Sequence, residues 1–152
     1  MNDNQNVDEL IKDLEENVYC RLRSSSVAGV GIFAIRDIPM GINPLKNFLK
    51  YNYIEVDEKL VFENEKISPE VKDLVHDMYV IADGKLNLWE GGMNALDIGF
   101  FINSSDNPNM IAEAEGEYFV AARDIKKGEE LFVDYGTYSE NTKERGAMPQ
   151  NQ

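Results

Sequence analysis

A mostly β, α+β domain is the fold class this sequence predicts, and three observations carry the prediction. Short apolar or alternating segments recur along the chain, separated by turn residues such as Asp83-Gly84, Glu115-Gly116 and Lys127-Gly128. Clear helical spacing of apolar residues is confined to two stretches, 7–14 and 69–79. At 152 residues the chain is long enough for one core and too short for two ordinary ones.

Residues 1–6 are polar and terminal, and are expected to be disordered. Val7, Leu10, Ile11 and Leu14 then fall at i, i+3, i+4 and i+7, which predicts a short amphipathic helix packing one face on the body. From Val18 to Arg23, apolar Val18, Cys20 and Leu22 alternate with Tyr19, Arg21 and Arg23, a strand broken by Ser24-Ser25-Ser26. Gly29 and Gly31 flank Val30 ahead of a second strand, Ile32-Phe33-Ala34-Ile35. Glycine there permits positive φ and, lacking Cβ, lets a ligand approach the backbone. The run lacks the third glycine and the helix of a dinucleotide fingerprint. After the turn Asp37–Gly41, short strands are expected around Phe48–Leu49 and Tyr53–Val56.

Ser68-Pro69-Glu70 supplies an N-cap, a proline at the first helical position and an acid in the first turn. With Val71, Leu74, Val75 and Met78 as its stripe, a helix is expected from about Pro69 to Tyr79. His76, the only histidine, falls on the polar side and reads as solvated, with no histidine or cysteine cluster to share a metal. Tyr79–Ala82 and Lys85–Trp89 form a hairpin about Asp83-Gly84. The mixed stretch Met93–Ile102 reads as a short helix. Met110–Ala114 and Glu117–Arg123 form a second hairpin, and the turn Lys126–Glu129 leads into a strand from Glu130 to Asp134. The expected organisation is an N-terminal segment with its helix over 1–17, the domain over 18–138 and a flexible tail over 139–152.

Composition narrows the function classes. The chain carries 28 acidic and 15 basic residues, a net charge of −13. That field repels a phosphate backbone, so no direct nucleic-acid partner is expected, and it attracts lysine-rich protein segments. No apolar run approaches the 18 residues of a membrane span, and the first residues lack the basic and apolar regions of a signal peptide. The expected setting is therefore intracellular, cytoplasmic or nuclear, with no membrane partner. Cys20 is the only cysteine, which excludes an internal disulfide or a cysteine-only zinc cluster.

Function is most legible at Phe100-Phe101-Ile102-Asn103-Ser104-Ser105-Asp106-Asn107-Pro108-Asn109, where an apolar run stops in small polar residues and proline. Such residues favour turns because their short side chains bond nearby backbone. The stretch can present the carboxamides of Asn103 and Asn109 to a ligand from an anchored base. An ordinary solvated loop has the same composition. Upstream stands Gly29-Val30-Gly31-Ile32-Phe33-Ala34, and downstream Glu130-Leu131-Phe132-Val133-Asp134-Tyr135.

In this order and at these separations, the three segments resemble the signatures of SET-domain protein lysine methyltransferases, and the chain is similar to the small, free-standing members. The resemblance implies a SET-type fold of several short β-sheets with a few short helices and a C-terminal pseudoknot. It also implies S-adenosylmethionine as cofactor and a lysine-containing protein substrate, such as a histone tail. Gly29, Val30 and Gly31 would bond the methionine side of the cofactor through backbone, Asn103 through its side chain, and Ser104 through backbone near adenine. Tyr135 would be the catalytic residue and would also contact cofactor, while Tyr138 would wall the lysine channel and contact cofactor by stacking near adenine. Family members often place an active-site tyrosine in the region of Tyr51 and Tyr53, and nothing in the sequence chooses between them. Small residues at Ala112 and Val133 would leave room for more than one methyl group. Glu130 and Asp134 read as partners of local backbone and loops. Two departures stand out: Ser104 occupies the family's usual histidine position, and Phe100 occupies a frequent arginine position. They keep open a second reading, a catalytically weak or inactive SET-like protein-binding module.

Overall fold

Residues 3–47 and 52–139 are described by a computed structural model of the chain. They fall into two units, residues 3–47 with 101–134, and residues 52–100 with 135–139.

In the first unit, four strands form one sheet. β1 (Cys20–Ser24) pairs antiparallel with β2 (Val30–Ala34), Cys20 opposite Ala34. The short strand β6 (Asn103–Ser104) lies at the other edge, and β9 (Glu130–Val133) runs between β2 and β6, antiparallel to the first and parallel to the second. β9 alternates, burying Leu131 and Val133, which join Ile32, Ala34, Ile38, Ile102, Met110, Ala121 and Ile125 in the core of this unit. The turn into β9 closes as expected: Glu129 N donates to Lys126 O at 3.0 Å, with Gly128 at φ +93°. The hairpin β7 (Met110–Glu113) and β8 (Tyr118–Ala121) is also as expected, joined through a 3-10 turn at Ala114–Gly116.

Two expectations for this unit are corrected. β1 spans Cys20–Ser24 rather than 18–23, and its alternation sorts little, since only Cys20 is half-buried and Leu22 stays exposed. The reason is its place at the sheet edge, paired only with β2. The half-burial of Cys20 pushes its thiol up to about 12. The N-terminal helix α1 (Asp3–Glu16) begins inside the stretch expected to be disordered. Its stripe is not laid on the body: Val7, Leu10, Ile11 and Leu14 are 54, 42, 51 and 64% exposed. The helix is held instead at its C-terminal end, where Arg36 donates to the carbonyls of Glu15 and Glu16 and stacks 3.9 Å over the Tyr19 ring. A cation on the last carbonyls compensates the helix dipole, since the last turn of the helix carries no basic residue of its own.

The second unit contains β3 (Tyr53–Asp57), α2 (Lys59–Phe62), α3 (Pro69–Met78), β4 (Ile81–Ala82) and β5 (Lys85–Trp89), with sheet order β3-β5-β4. Asp83 and Gly84 at φ +51° and +69° supply the two left-handed residues that a tight hairpin turn requires. Ser68 caps α3 by accepting from Val71 N, with Pro69 in the first turn. Its stripe is only partly used, since Val75 is buried while Val71 and Leu74 remain exposed. The core here gathers Val61, Val75, Tyr79, Ile81, Leu86 and Trp89.

α2 was not expected, being too short to show a period. The expected helix over 93–102 is instead two 3-10 turns, Met93–Ala95 and Ile98–Phe101, because Leu96 adopts an extended ψ of 127° between them. His76 is half-buried rather than solvated, edge-on to the Phe62 ring and 3.8 Å from Asp77. The strand expected at Phe48–Leu49, the candidate Tyr51 and residues 140–152 lie outside the described residues. Among the described residues, no helix is long and apolar enough to cross a membrane.

Candidate functional site

β6 delivers Asn103 to the edge of the first unit's sheet, opposite Phe132 of β9. From there its Nδ2 reaches three oxygens: Ala28 O at 3.2 Å, Val30 O at 3.2 Å and Glu130 Oε1 at 2.9 Å. The first segment of the sequence pattern, its polar loop and the first residue of its last segment therefore meet at one nitrogen. An amide nitrogen carries only two N–H bonds, so the three acceptors exceed what Asn103 can supply at once.

Glu130 is the second centre of this cluster. Its other oxygen accepts from Ser25 Oγ at 3.0 Å. Ser25 in turn shapes the loop between β1 and β2: its N donates to Gly29 O at 2.9 Å, and its Oγ accepts from Val27 N at 3.0 Å and Ala28 N at 3.4 Å. Glu130 thus makes the loop contacts the sequence implied, but with partners 27 and 105 residues away. Ser25 was missed as anything but a strand breaker, and no local pattern could have paired it with Glu130.

The two glycines serve different ends. Gly29 sits at φ +46°, a conformation that L side chains rarely adopt, with open space where a Cβ would project. Gly31 lies within β2 outside the left-handed region, and its need is spatial: an added Cβ would stand 2.0 Å from Glu130 Oε1 and 3.1 Å from Asn103 Nδ2. The close approach at Gly31 is therefore made by the protein's own carboxylate and carboxamide.

Asn109 corrects the expectation that both carboxamides face a ligand. It is 4% exposed. Its Nδ2 donates to Glu130 O at 2.8 Å, its Oδ1 accepts from Phe132 N at 2.8 Å, and its backbone N donates to Phe132 O at 3.2 Å. The side chain acts as a length of strand, satisfying backbone groups of β9 that would otherwise be buried without partners. Ser104, beside Asn103 on β6, is half-buried and paired with Val133, which is itself shut in the core. Ala112, the other small residue, is half-buried opposite Phe119.

The remaining residues that the sequence proposed for the site belong to the second unit. Tyr135 opens a 3-10 turn, Tyr135–Thr137, and its carbonyl accepts from Tyr138 N at 3.1 Å and Ser139 N at 3.0 Å. The turn sets the Tyr135 and Tyr138 rings edge to face, 6.1 Å between centroids, both half-buried. Tyr53 lies opposite Trp89 across β3 and β5, ring centroids 5.0 Å apart. Phe100 packs edge-on to Tyr79 and Trp89, each at 5.8 Å, so the residue at the family's frequent arginine position is part of an aromatic cluster.

These three meeting segments and the multi-sheet fold define a class of protein. The SET domain family model matches residues 29–136. The chain belongs to the SET-domain family, whose members are characteristically S-adenosylmethionine-dependent lysine methyltransferases. No curated protein matches the chain. Among solved structures, a Plasmodium falciparum protein provisionally named a histone methyltransferase is similar over 78% of this chain and 93% of its own, at 20% identity and a TM-score of 0.47.

Proposed function

We propose that this protein is a protein-lysine N-methyltransferase using S-adenosylmethionine, with a histone tail or another lysine-rich protein as substrate. The observation that supports it most is the ring of three oxygens about Asn103 Nδ2, contributed by Ala28, Val30 and Glu130. Those acceptors, one of them a carboxylate, suit the three N–H bonds and positive charge of an α-ammonium better than they suit an amide. The open space at Gly29 leaves backbone accessible beside them. Gly29, Val30, Gly31, Asn103 and Ser104 would hold the cofactor, which supplies an electrophilic sulfonium methyl when bound.

The rest of the chemistry falls to the protein. A lysine side chain has an ordinary pKa near 10.4 and is a nucleophile only when neutral. Burial among aromatic walls beside a positive charge lowers that value by desolvation and like-charge repulsion. Tyr135 would orient the amine through its hydroxyl, and Tyr138 would exclude water beside it. In-line alignment then supplies rate through positioning. The net charge of −13 favours encounter with a cationic substrate.

Calorimetry with S-adenosylmethionine and transfer of radiolabelled methyl to mixed histones test the proposal together. Tyr135→Phe is expected to lower kcat by about 100-fold with cofactor affinity largely kept. If that variant keeps full activity, the role given to Tyr135 is wrong. A second reading, a SET-like binding module with little or no turnover, is favoured by Ser104 and by the seating of Phe100 between Tyr79 and Trp89. Cofactor binding without methyl transfer to any histone would select it.

A further inference from the structure

Among the described residues, the apolar face of α1 is left largely exposed. On a helix of 3.6 residues per turn, Leu10, Leu14, Val7 and Ile11 lie within an arc of about 100°. All four are more than two-fifths exposed. A helix of this length is marginal in water by itself. This one is fastened at its C-terminal end by Arg36, whose guanidinium donates to Glu15 O and Glu16 O and rests on Tyr19, and by Asn17 Nδ2 donating to Asp13 Oδ1 at 2.9 Å. The fold therefore roots the helix and leaves its stripe outward.

The edges of the stripe identify its occupant. Between residues 7 and 16 stand five carboxylates, Asp8, Glu9, Asp13, Glu15 and Glu16, and one cation, Lys12. Lys12 is turned to Glu16 at 3.9 Å. Asp8 and Glu15 border one side of the apolar arc and Asp13 the other, so the stripe is apolar with an acidic rim on both sides. A second copy of the chain would bring the same rim against itself, with like charges facing across the contact. A partner with apolar residues at helical spacing and lysines or arginines beside them meets both features.

We propose that α1 is a docking helix for a basic amphipathic segment of another protein, with Val7, Leu10, Ile11 and Leu14 as the apolar contact and Asp8, Asp13 and Glu15 as the charged rim. The surface needs neither the cofactor nor turnover. It therefore stands or falls separately from the methyltransferase reading.

The test is fluorescence anisotropy of the intact protein with three 18-residue peptides: leucine and lysine at amphipathic helical spacing, the same pattern with glutamate for lysine, and lysine with serine in place of leucine. Only the leucine-lysine peptide is expected to bind tightly. Leu10→Ser with Leu14→Ser should weaken it at least tenfold, and Asp8→Lys with Glu15→Lys should do so with the stripe intact. These side chains are exposed, so the thermal melt of the protein should be unchanged. Equal binding of the leucine-lysine peptide to the Leu10→Ser, Leu14→Ser variant would overturn the proposal, because the attraction would then be net charge alone. So would sedimentation of a dimer that this variant dissociates, which would make a second copy the occupant.

Discussion

Asn103 and Asn109 stand six residues apart at the two ends of one polar loop, and the fold treats them oppositely. Asn109 is buried and spends both ends of its carboxamide on backbone of β9. Asn103 is half-buried and places one nitrogen among three oxygens from two other segments. The same side chain is a strand surrogate in one case and the centre of a polar cluster in the other. The difference is what surrounds each: backbone groups of a buried strand, which must be paired, or an edge of the sheet open to exchange of partners.

The largest expected effect breaks the structural end. Asn109→Ala leaves Glu130 O and Phe132 N without their side-chain partner, at a cost of about 2–4 kcal/mol in stability. Urea denaturation reads it as a lower midpoint, with cofactor affinity per folded molecule little changed. At the other end, Gly31→Ala drives a methyl into the position of Glu130 Oε1. That oxygen ends a flexible side chain, so the carboxylate can move, but only by giving up Asn103 and Ser25. The expected loss is about 1–2 kcal/mol. It should shrink by half or more in a Glu130→Ala background, a double-mutant cycle that fails if the two costs simply add.

Smaller still in stability, Asn103→Ala should cost about 1 kcal/mol or less, because its partners can turn to water. Its larger signature is a loss of S-adenosylmethionine affinity of about tenfold or more by calorimetry. A variant that unfolds like Asn109→Ala but binds cofactor normally would reverse the comparison.

Acid sharpens it, since neither asparagine titrates while the turn before β9 does. Asp37 is held below its ordinary 3.8 chiefly by the Lys127 backbone N–H and by the Lys126 side chain. Glu129 is held below its ordinary 4.5 chiefly by Arg123, then by the Lys126 backbone N–H. Depressed folded values mean that this stabilisation is complete above the ordinary values and is lost as pH falls through the lowered ones. Both groups are largely solvated, so the loss on acidification is small. Asp37→Asn with Glu129→Gln should flatten stability below about pH 4.5. An unchanged slope would show that the turn does not contribute.

Much of the architecture was written locally. The cap and proline before α3, the Asp83-Gly84 hairpin and the Gly128 turn each rest on residues within one or two turns of chain, and each appears where local chemistry puts it. The existence of α1 was local too, but not the fate of its face, since periodicity marks a stripe without saying whether anything covers it. The Ser25–Glu130 bond was illegible for the opposite reason: its partners are 105 residues apart and no local pattern links them.

Sequence alone determined the class of fold, the order of most elements and the three segments that identify the family, because turn chemistry and hydrophobic period act over a few residues. Tertiary structure alone decided which asparagine is buried, which glycine is needed for space rather than for φ, and what Glu130 holds. Those outcomes depend on which atoms occupy the same few ångströms, and that is settled only when strands distant in the chain lie side by side.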